Sequence, residues 1–468
     1  MRMIIFSFII LVLSCNTSEN IQKGKNGISI NWNYADYAWA KNVPQIIMNI
    51  NKPIFKEKIY NIIDFGAIND GKTKSTEAIN MAIETCSKQG GGIVIVPKGI
   101  FFTGSILLKN DVNLHLEDGS TLSFSTDPND YLPVVECHWE GMACMNYRSF
   151  IYANNCENIA VTGNGVLEGN GAFDTWWGWS KKQLHRLPEN RPKLMEYNKN
   201  QTPVKDRIFG ADHYLRPNFF QLFMCKNIWL QGFTMQNSSM WGIHIVLSEN
   251  ITIDGISAIS PLNSPNTDGC DLESSKNILI ENCIFSVGDD CIAIKSGRNQ
   301  DARRINTPTE NVLIRNCDIQ NGHGGLTVGS EVTGGARNIF MESCEMNSPN
   351  LGAMLRIKSS QVRGGKIENI FVRNMKVGQV GGPLLKIDMH YTVRKEELDG
   401  KFYLPQCEKV FLESITCEEA GSAWFMDGYE KEPIKNVFMR HTTINKVKNP
   451  IIQRNVTNFL LDNVTIYN

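Results

Sequence analysis

A short phrase recurs along this chain: Asn, an apolar residue, any residue, an apolar residue, any residue, then Asn, Gly or Ser. It stands as ENIAVTGNG at Glu157, KNIWLQGF at Lys226, ENITIDGI at Glu249, KNILIENC at Lys276, ENVLIRNC at Glu310, RNIFMESC at Arg337, ENIFVRNM at Glu368, EKVFLESI at Glu408, KNVFMRHT at Lys435 and TNFLLDNV at Thr457. By subtraction, the steps from Asn227 through Asn250, Asn277, Asn311 and Asn338 to Asn369 are 23, 27, 34, 27 and 31 residues. Apolar residues in period two predict strands buried on one face. Their return at such a period, with Asn and Gly at the corners and no helix-length stretch between, predicts an all-β solenoid of the parallel β-helix type. Each turn then stacks on the last at about 4.8 Å, and residues in equal register form ladders.

The ladders bring chemistry together. An apolar-x-Ser ending repeats at Leu272 to Ser274, Ile294 to Ser296, Val328 to Ser330 and Ile357 to Ser359. Counting back from those apolar residues places Asp268 over Asp290 and Asp289 over His323. Arg356 and Lys358 fall on one outward strand face, because side chains alternate. Carboxylates a few ångströms apart raise one another's pKa, so one of the three acids is expected to hold a proton near neutral pH. A protonated carboxyl beside ionised ones suits glycoside hydrolysis, which needs an acid for the leaving oxygen and a carboxylate for water or the sugar. Asp289 is the preferred acid, since His323 lies in register to share its proton. The same acids would also serve as turn caps or a Ca²⁺ site. Arg356 and Lys358 suit a substrate carrying carboxylates, or else merely neutralise Asp268 and Asp290. Arg298, Arg303 and Arg304 extend the expectation to a positive rim.

At these residues the chain resembles the polygalacturonase family of glycoside hydrolases, the pectin-cleaving right-handed β-helices. Its four signature segments stand in order: NTD at Asn266 to Asp268, GDD at Gly288 to Asp290, GHG at Gly322 to Gly324 and RIK at Arg356 to Lys358. The resemblance runs from about Tyr60, in YNIIDFGAINDGKTKSTEAI, to near the end. It implies Asp289 as general acid, Asp268 and Asp290 as holders of the attacking water, His323 tuning the acid, and Arg356 with Lys358 gripping a galacturonate carboxylate. Asn266 and Tyr391 join as substrate contacts, Tyr391 by stacking on a sugar. The family inverts configuration, whereas stacking on adjacent turns puts the acids near the short spacing associated with retention. HWEGMACMNY at His138, LRPNFFQLFMCKNI at Leu215 and GPLLKIDMHYT at Gly382 resemble the exo-acting bacterial branch. The implied substrate is homogalacturonan, with a rhamnogalacturonan-type substrate as the alternative. A Ca²⁺-dependent pectate lyase and a non-catalytic binding solenoid are the rivals from other classes.

An insertion from about Gly171 to Pro217 interrupts the repeat and carries Trp176, Trp177, Trp179, Lys181, Lys182, His185 and Arg186. It either walls the cleft and stacks sugar rings, or packs as a cap. TEAINMAIETCSK, from Thr76, has helical periodicity and would cover the open end of the solenoid. Gly90, Gly91 and Gly92 read as the turn into an early strand.

At 468 residues, 42% hydrophobic and with 38 Gly, the chain can bury one long core as a monomer. A net charge of −1 leaves attraction of a polyanion to local charge, and no basic and aromatic interleaving points to nucleic acid. No Cys/His spacing suggests zinc and no phosphate loop follows a strand, so neither metal nor cofactor is expected. Residues 1–15, with Arg2 ahead of an apolar run and Cys15 at its end, read as a secretory signal and resemble the lipoprotein type, which would anchor the protein through lipid on Cys15 in a bacterial periplasm or outer membrane. Residues 16–58 form a tether and docking segment, and 59–468 the catalytic β-helix. Of 13 cysteines, Cys283, Cys317 and Cys344 each follow their marker Asn by six residues, so buried free thiols in a ladder are expected rather than disulfides.

Overall fold

A computed structural model describes residues 32–398 and 400–467. The expected signal, Cys15 and the tether up to residue 31 lie outside them. The repeat winds as predicted: 31 strands join in one parallel sheet, a β-helix whose turns pair with the next along the chain. Ile228, Ile251, Ile278, Val312, Ile339, Ile370, Val410 and Val437 stand in one continuous register and are buried. That column is the spine of the core.

The marker asparagines explain how the turns keep step. Asn227, Asn250, Asn277, Asn311, Asn338 and Asn369 all take left-handed backbone, with φ from 54° to 60°, a conformation Asn tolerates better than most residues. Each donates its side-chain N–H to the carbonyl of the Asn one turn earlier, at 3.1–3.3 Å from Asn250 onward. The corner amides form a ladder of their own.

Two helices cover the solenoid. Thr76–Lys88 buries Ala78, Ile79, Ala82, Ile83 and Cys86 against the first turns, as its periodicity predicts. Trp32–Asn49 docks on the flank, where outward-facing Phe340, Phe371, Phe411 and Phe438 stack with ring centroids 4.7, 5.2 and 4.8 Å apart. Trp39 meets Phe340 edge-on at 5.0 Å, with Ala35, Ala38, Val43 and Ile46 filling the seam.

The 12 described cysteines are free and buried, Cys283, Cys317 and Cys344 among them. The insertion forms the helices Trp176–Lys181 and Arg191–Asn200, and Trp176 and Trp177 sink into the core. Trp179 packs edge-on against Trp176 and Tyr214. The insertion tryptophans therefore pack as a cap instead of offering rings to sugars. An antiparallel hairpin, Val135–Trp139 with Met142–Asn146, stands beside it and was not foreseen from the repeat.

Candidate active site

Four successive turns supply the site. The NTD and GDD segments enter the paired strands Cys270–Glu273 and Asp290–Lys295, and Asp290 pairs with Gly324 at the start of Gly324–Val328. Thr327 in turn pairs with Arg356 of Leu355–Lys358. Gly324 is required here, since a Cβ on it would lie 2.2 Å from Thr327 Oγ1 and 3.2 Å from Asp290 Oδ1. The register predicted from the sequence is the one observed.

Asp268, Asp289 and Asp290 each present a carboxylate oxygen within 4.8 Å of the others. Their surroundings differ sharply. Asp290 is buried and accepts hydrogen bonds from Lys358 Nζ at 2.7 Å, Thr327 Oγ1 at 2.9 Å and Arg356 Nη1 at 3.3 Å. Burial alone would raise it, but Lys358, Arg356 and Lys295 outweigh that and hold the carboxyl well below the usual range. Asp268 is equally buried, and burial with the charges of Asp271, Asp289 and Asp290 raises it well above the usual range, against the pull of Lys295 at 3.9 Å. Asp289 is the one of the three whose side chain reaches solvent, at 19% exposure, and it sits 3.0 Å from His323 Nδ1. The imidazole is raised by that hydrogen bond, with burial opposing. Burial thus raises Asp268, while the sequence favours Asp289 as the acid because His323 lies in register with it, and the structure sets the two side chains 3.0 Å apart.

The cations meet protein carboxylates. Lys358, 6% exposed, and Arg356 both pair with Asp290 while lining the cleft. Arg298 is buried among Glu331, Glu140 and Glu397. Arg303 stacks on Tyr403 at 3.6 Å and Arg304 lies 3.9 Å from Asp301, so these three arginines form no positive rim. Tyr391 lines the cleft with its ring 5.3 Å from Lys358 Nζ and 5.6 Å from the Arg356 guanidinium. Asn266 lines it too, its Oδ1 taken by Arg216 Nη2 at 2.9 Å.

Sequence reasoning missed Lys295 and Trp241. Lys295 is buried at the cleft floor, 3.4 Å from Asp271, 3.1 Å from Glu331 and 4.4 Å from the centre of the Trp241 ring. Asp271 beside it is pushed up to about 8, by burial working against Lys295. The signal was present, since Lys295 occupies an outward position of the GDDCIAIKSG strand in register with Glu273. The cleft as a whole encloses about 410 Å³, within the range of small-molecule sites.

The sequence pattern of "Glycosyl hydrolases family 28" matches residues 209–462, and that of "Rhamnogalacturonase A/epimerase, pectate lyase-like" matches residues 59–116. The chain is 28% identical over 394 residues to a probable polygalacturonase of Vitis vinifera, covering 82% of this chain and 74% of that protein. It is 27% identical over 366 residues to the exo-poly-alpha-D-galacturonosidase of Dickeya chrysanthemi, covering 73% of this chain and 59% of that one. Among solved structures, a hyperthermoactive exopolygalacturonase from Thermotoga maritima superposes with a TM-score of 0.83 at 37% identity, covering 91% of this chain and 96% of that one. With its wound sheet, its aspartate cluster and these likenesses, the chain belongs to glycosyl hydrolase family 28 and is a glycoside hydrolase.

Proposed function

We propose that this enzyme hydrolyses α-1,4-galacturonosyl linkages of pectin from a chain end. The observation that carries the reading is the meeting of three carboxyls within 4.8 Å of one another: one held as an anion by Lys358 and Arg356, one buried, and one facing the cleft beside His323. Asp289, the accessible one, protonates the leaving glycosidic oxygen. Asp268, once ionised, accepts a proton from the water that attacks the anomeric carbon, and Asp290 remains a carboxylate that orients the water. Each turnover moves a proton from Asp289 to Asp268, and their proximity, with His323 alongside, lets it return. The names of the Dickeya and Thermotoga relatives support terminal attack and a galacturonan substrate.

The test is incubation with polygalacturonate and with a rhamnogalacturonan backbone, the products resolved by size. Monomeric galacturonate from the first, with none of the unsaturated product a lyase would make, is the expected result. A ladder of oligomers would remove the terminal mode of attack, and an unsaturated product would remove the hydrolase reading. We further propose export as a lipoprotein anchored at Cys15 and a monomeric state. Cys15→Ser should release the protein from membranes, and light scattering should return the mass of one chain.

A further inference from the structure

The cations of the cleft fall into two groups. Lys358, Arg356, Lys295, Arg298 and Arg363 each pair with a carboxylate of the protein. Arg186 and Arg394 do not: among the described residues neither has a carboxylate within ion-pair distance of its guanidinium. Arg186 is exposed at the end of the turn Leu184–Arg186 in the insertion, and donates one hydrogen bond to the Gln183 side-chain oxygen at 3.3 Å. Arg394 stands in the loop before the turn Lys395–Glu397, and its Nη1 is buried with no hydrogen-bond partner in the protein. Both line the cleft.

The two segments are tied to one another and to the cleft wall. Arg191, five residues after Arg186, reaches Glu396 at 3.3 Å, and Arg363 holds Glu397 at 2.5 Å. His185 lies in the field of both arginines. Burial pushes it down to about 4, with Arg216, Arg186 and Arg394 adding to the effect against Glu140, so it is a neutral imidazole. Its Nδ1 has no partner in the protein, and neither does Glu140 Oε2, which lies 3.3 Å from Arg298 without a hydrogen bond. Buried polar atoms without partners are uncommon and call for an occupant. The combination is a pair of unspent guanidinium groups flanked by a neutral nitrogen and a carboxylate oxygen. It matches a sugar acid, with the planar carboxylate on the guanidinium and a ring hydroxyl on Glu140, which lines the cleft with the two arginines.

We propose that Arg186 and Arg394 form the subsite that reads the carboxylate of the terminal uronate of the substrate. This rests on the galacturonan-hydrolase reading and deepens it: beside Arg356 and Lys358, which Asp290 already engages, these two are arginines of the cleft that no described carboxylate of the protein engages. A terminal sugar that is methyl-esterified or neutral is then discriminated against, since an ester carries no charge for the guanidinium to meet.

The experiment compares wild type, Arg186→Ala, Arg394→Ala, Arg394→Lys and the double alanine variant on trigalacturonate and on trigalacturonate with its non-reducing terminal carboxyl methyl-esterified. Each alanine variant should raise KM for the acid roughly tenfold, the range for a charged hydrogen bond, with kcat within about twofold. Arg394→Lys should recover part of the loss, and the double variant should handle acid and ester alike. Wild-type KM in Arg186→Ala and Arg394→Ala, or a double variant that still prefers the acid, would overturn the assignment while leaving the hydrolase reading intact. Failure of the wild type to release galacturonate from either trimer would instead remove that reading and this one with it. Arg186 is solvent-exposed, so its variant tests the subsite free of any folding defect.

Discussion

Replacing Lys358 by Met asks whether that lysine serves the enzyme's own carboxylate or the substrate's. The ammonium lies 2.7 Å from Asp290 Oδ2, and both groups are almost fully buried. At an effective dielectric of about 20, that separation corresponds to roughly 6 kcal/mol of attraction. Removing one member of a buried pair typically costs about 3–5 kcal/mol, because the other is left as an uncompensated charge. Arg356 at 3.3 Å and Thr327 at 2.9 Å remain, which favours the lower end, about 3 kcal/mol. At 1.36 kcal/mol per pKa unit, that is roughly a two-unit rise of Asp290. A depressed carboxyl stabilises the fold above its unfolded pKa, and that contribution fades as pH falls through the folded value. The wild type therefore holds Asp290 as an anion down to a lower pH than the variant does. The acid limb of kcat against pH should move up by about two units, and acid unfolding followed by circular dichroism should begin at correspondingly higher pH. An unmoved acid limb with only a raised KM would refute the reasoning and return Lys358 to the substrate.

Four further outcomes follow from the structure. Asp289→Asn should lower kcat by roughly a hundredfold to ten-thousandfold while trigalacturonate still binds by calorimetry, and full turnover would dismiss Asp289 as the acid. The His323 imidazole is raised by Asp289, so its positive charge is present at low pH and fades as pH rises through its pKa. His323→Gln should therefore shift the alkaline limb of kcat, and an unchanged profile would exclude it from proton return. Proton NMR of the first-formed product should show inversion, although the carboxyls approach within 4.8 Å, if water is held directly by Asp268 and Asp290. Trp39→Ala, at the seam of the docked helix and the phenylalanine stack, should cost about 3 kcal/mol on denaturant unfolding. A loss under 1 kcal/mol would mean that the helix adds little to the solenoid.

Much of this was legible because a solenoid translates sequence spacing directly into distance. The marker asparagines announced the corners, since left-handed backbone selects Asn, and the apolar-x-Ser endings aligned Asp268 with Asp290 and Asp289 with His323. A docking segment was expected within residues 16–58, but the surface it docks on had a signal that went unused. Phe340, Phe371, Phe411 and Phe438 occupy the outward position of four successive phrases, where a solvated strand would carry polar residues, and the aromatic NWNYADYAWAKNV segment supplies their partner. The insertion was opaque because it has no period, so nothing in it told a buried Trp176 from an exposed one. The fate of Arg356 and Lys358 was hidden for another reason. Alternation gives the face on which a charge lies, but whether it meets protein or ligand depends on how deep its partner sits, and Asp290 lies at 1% exposure.

The asparagine ladder has an evolutionary consequence. Because each corner amide recognises only its immediate neighbours, a whole turn can be duplicated or lost elsewhere in the coil without retuning the rest, and the molecule lengthens or shortens like a stack of interchangeable plates. The exception is the stretch from Asp268 to Lys358, where an added plate would open a gap of about 4.8 Å between the catalytic groups it separated. Variation in cleft length among related enzymes should therefore accumulate outside this block, leaving the chemistry as a fixed cassette within an extensible scaffold.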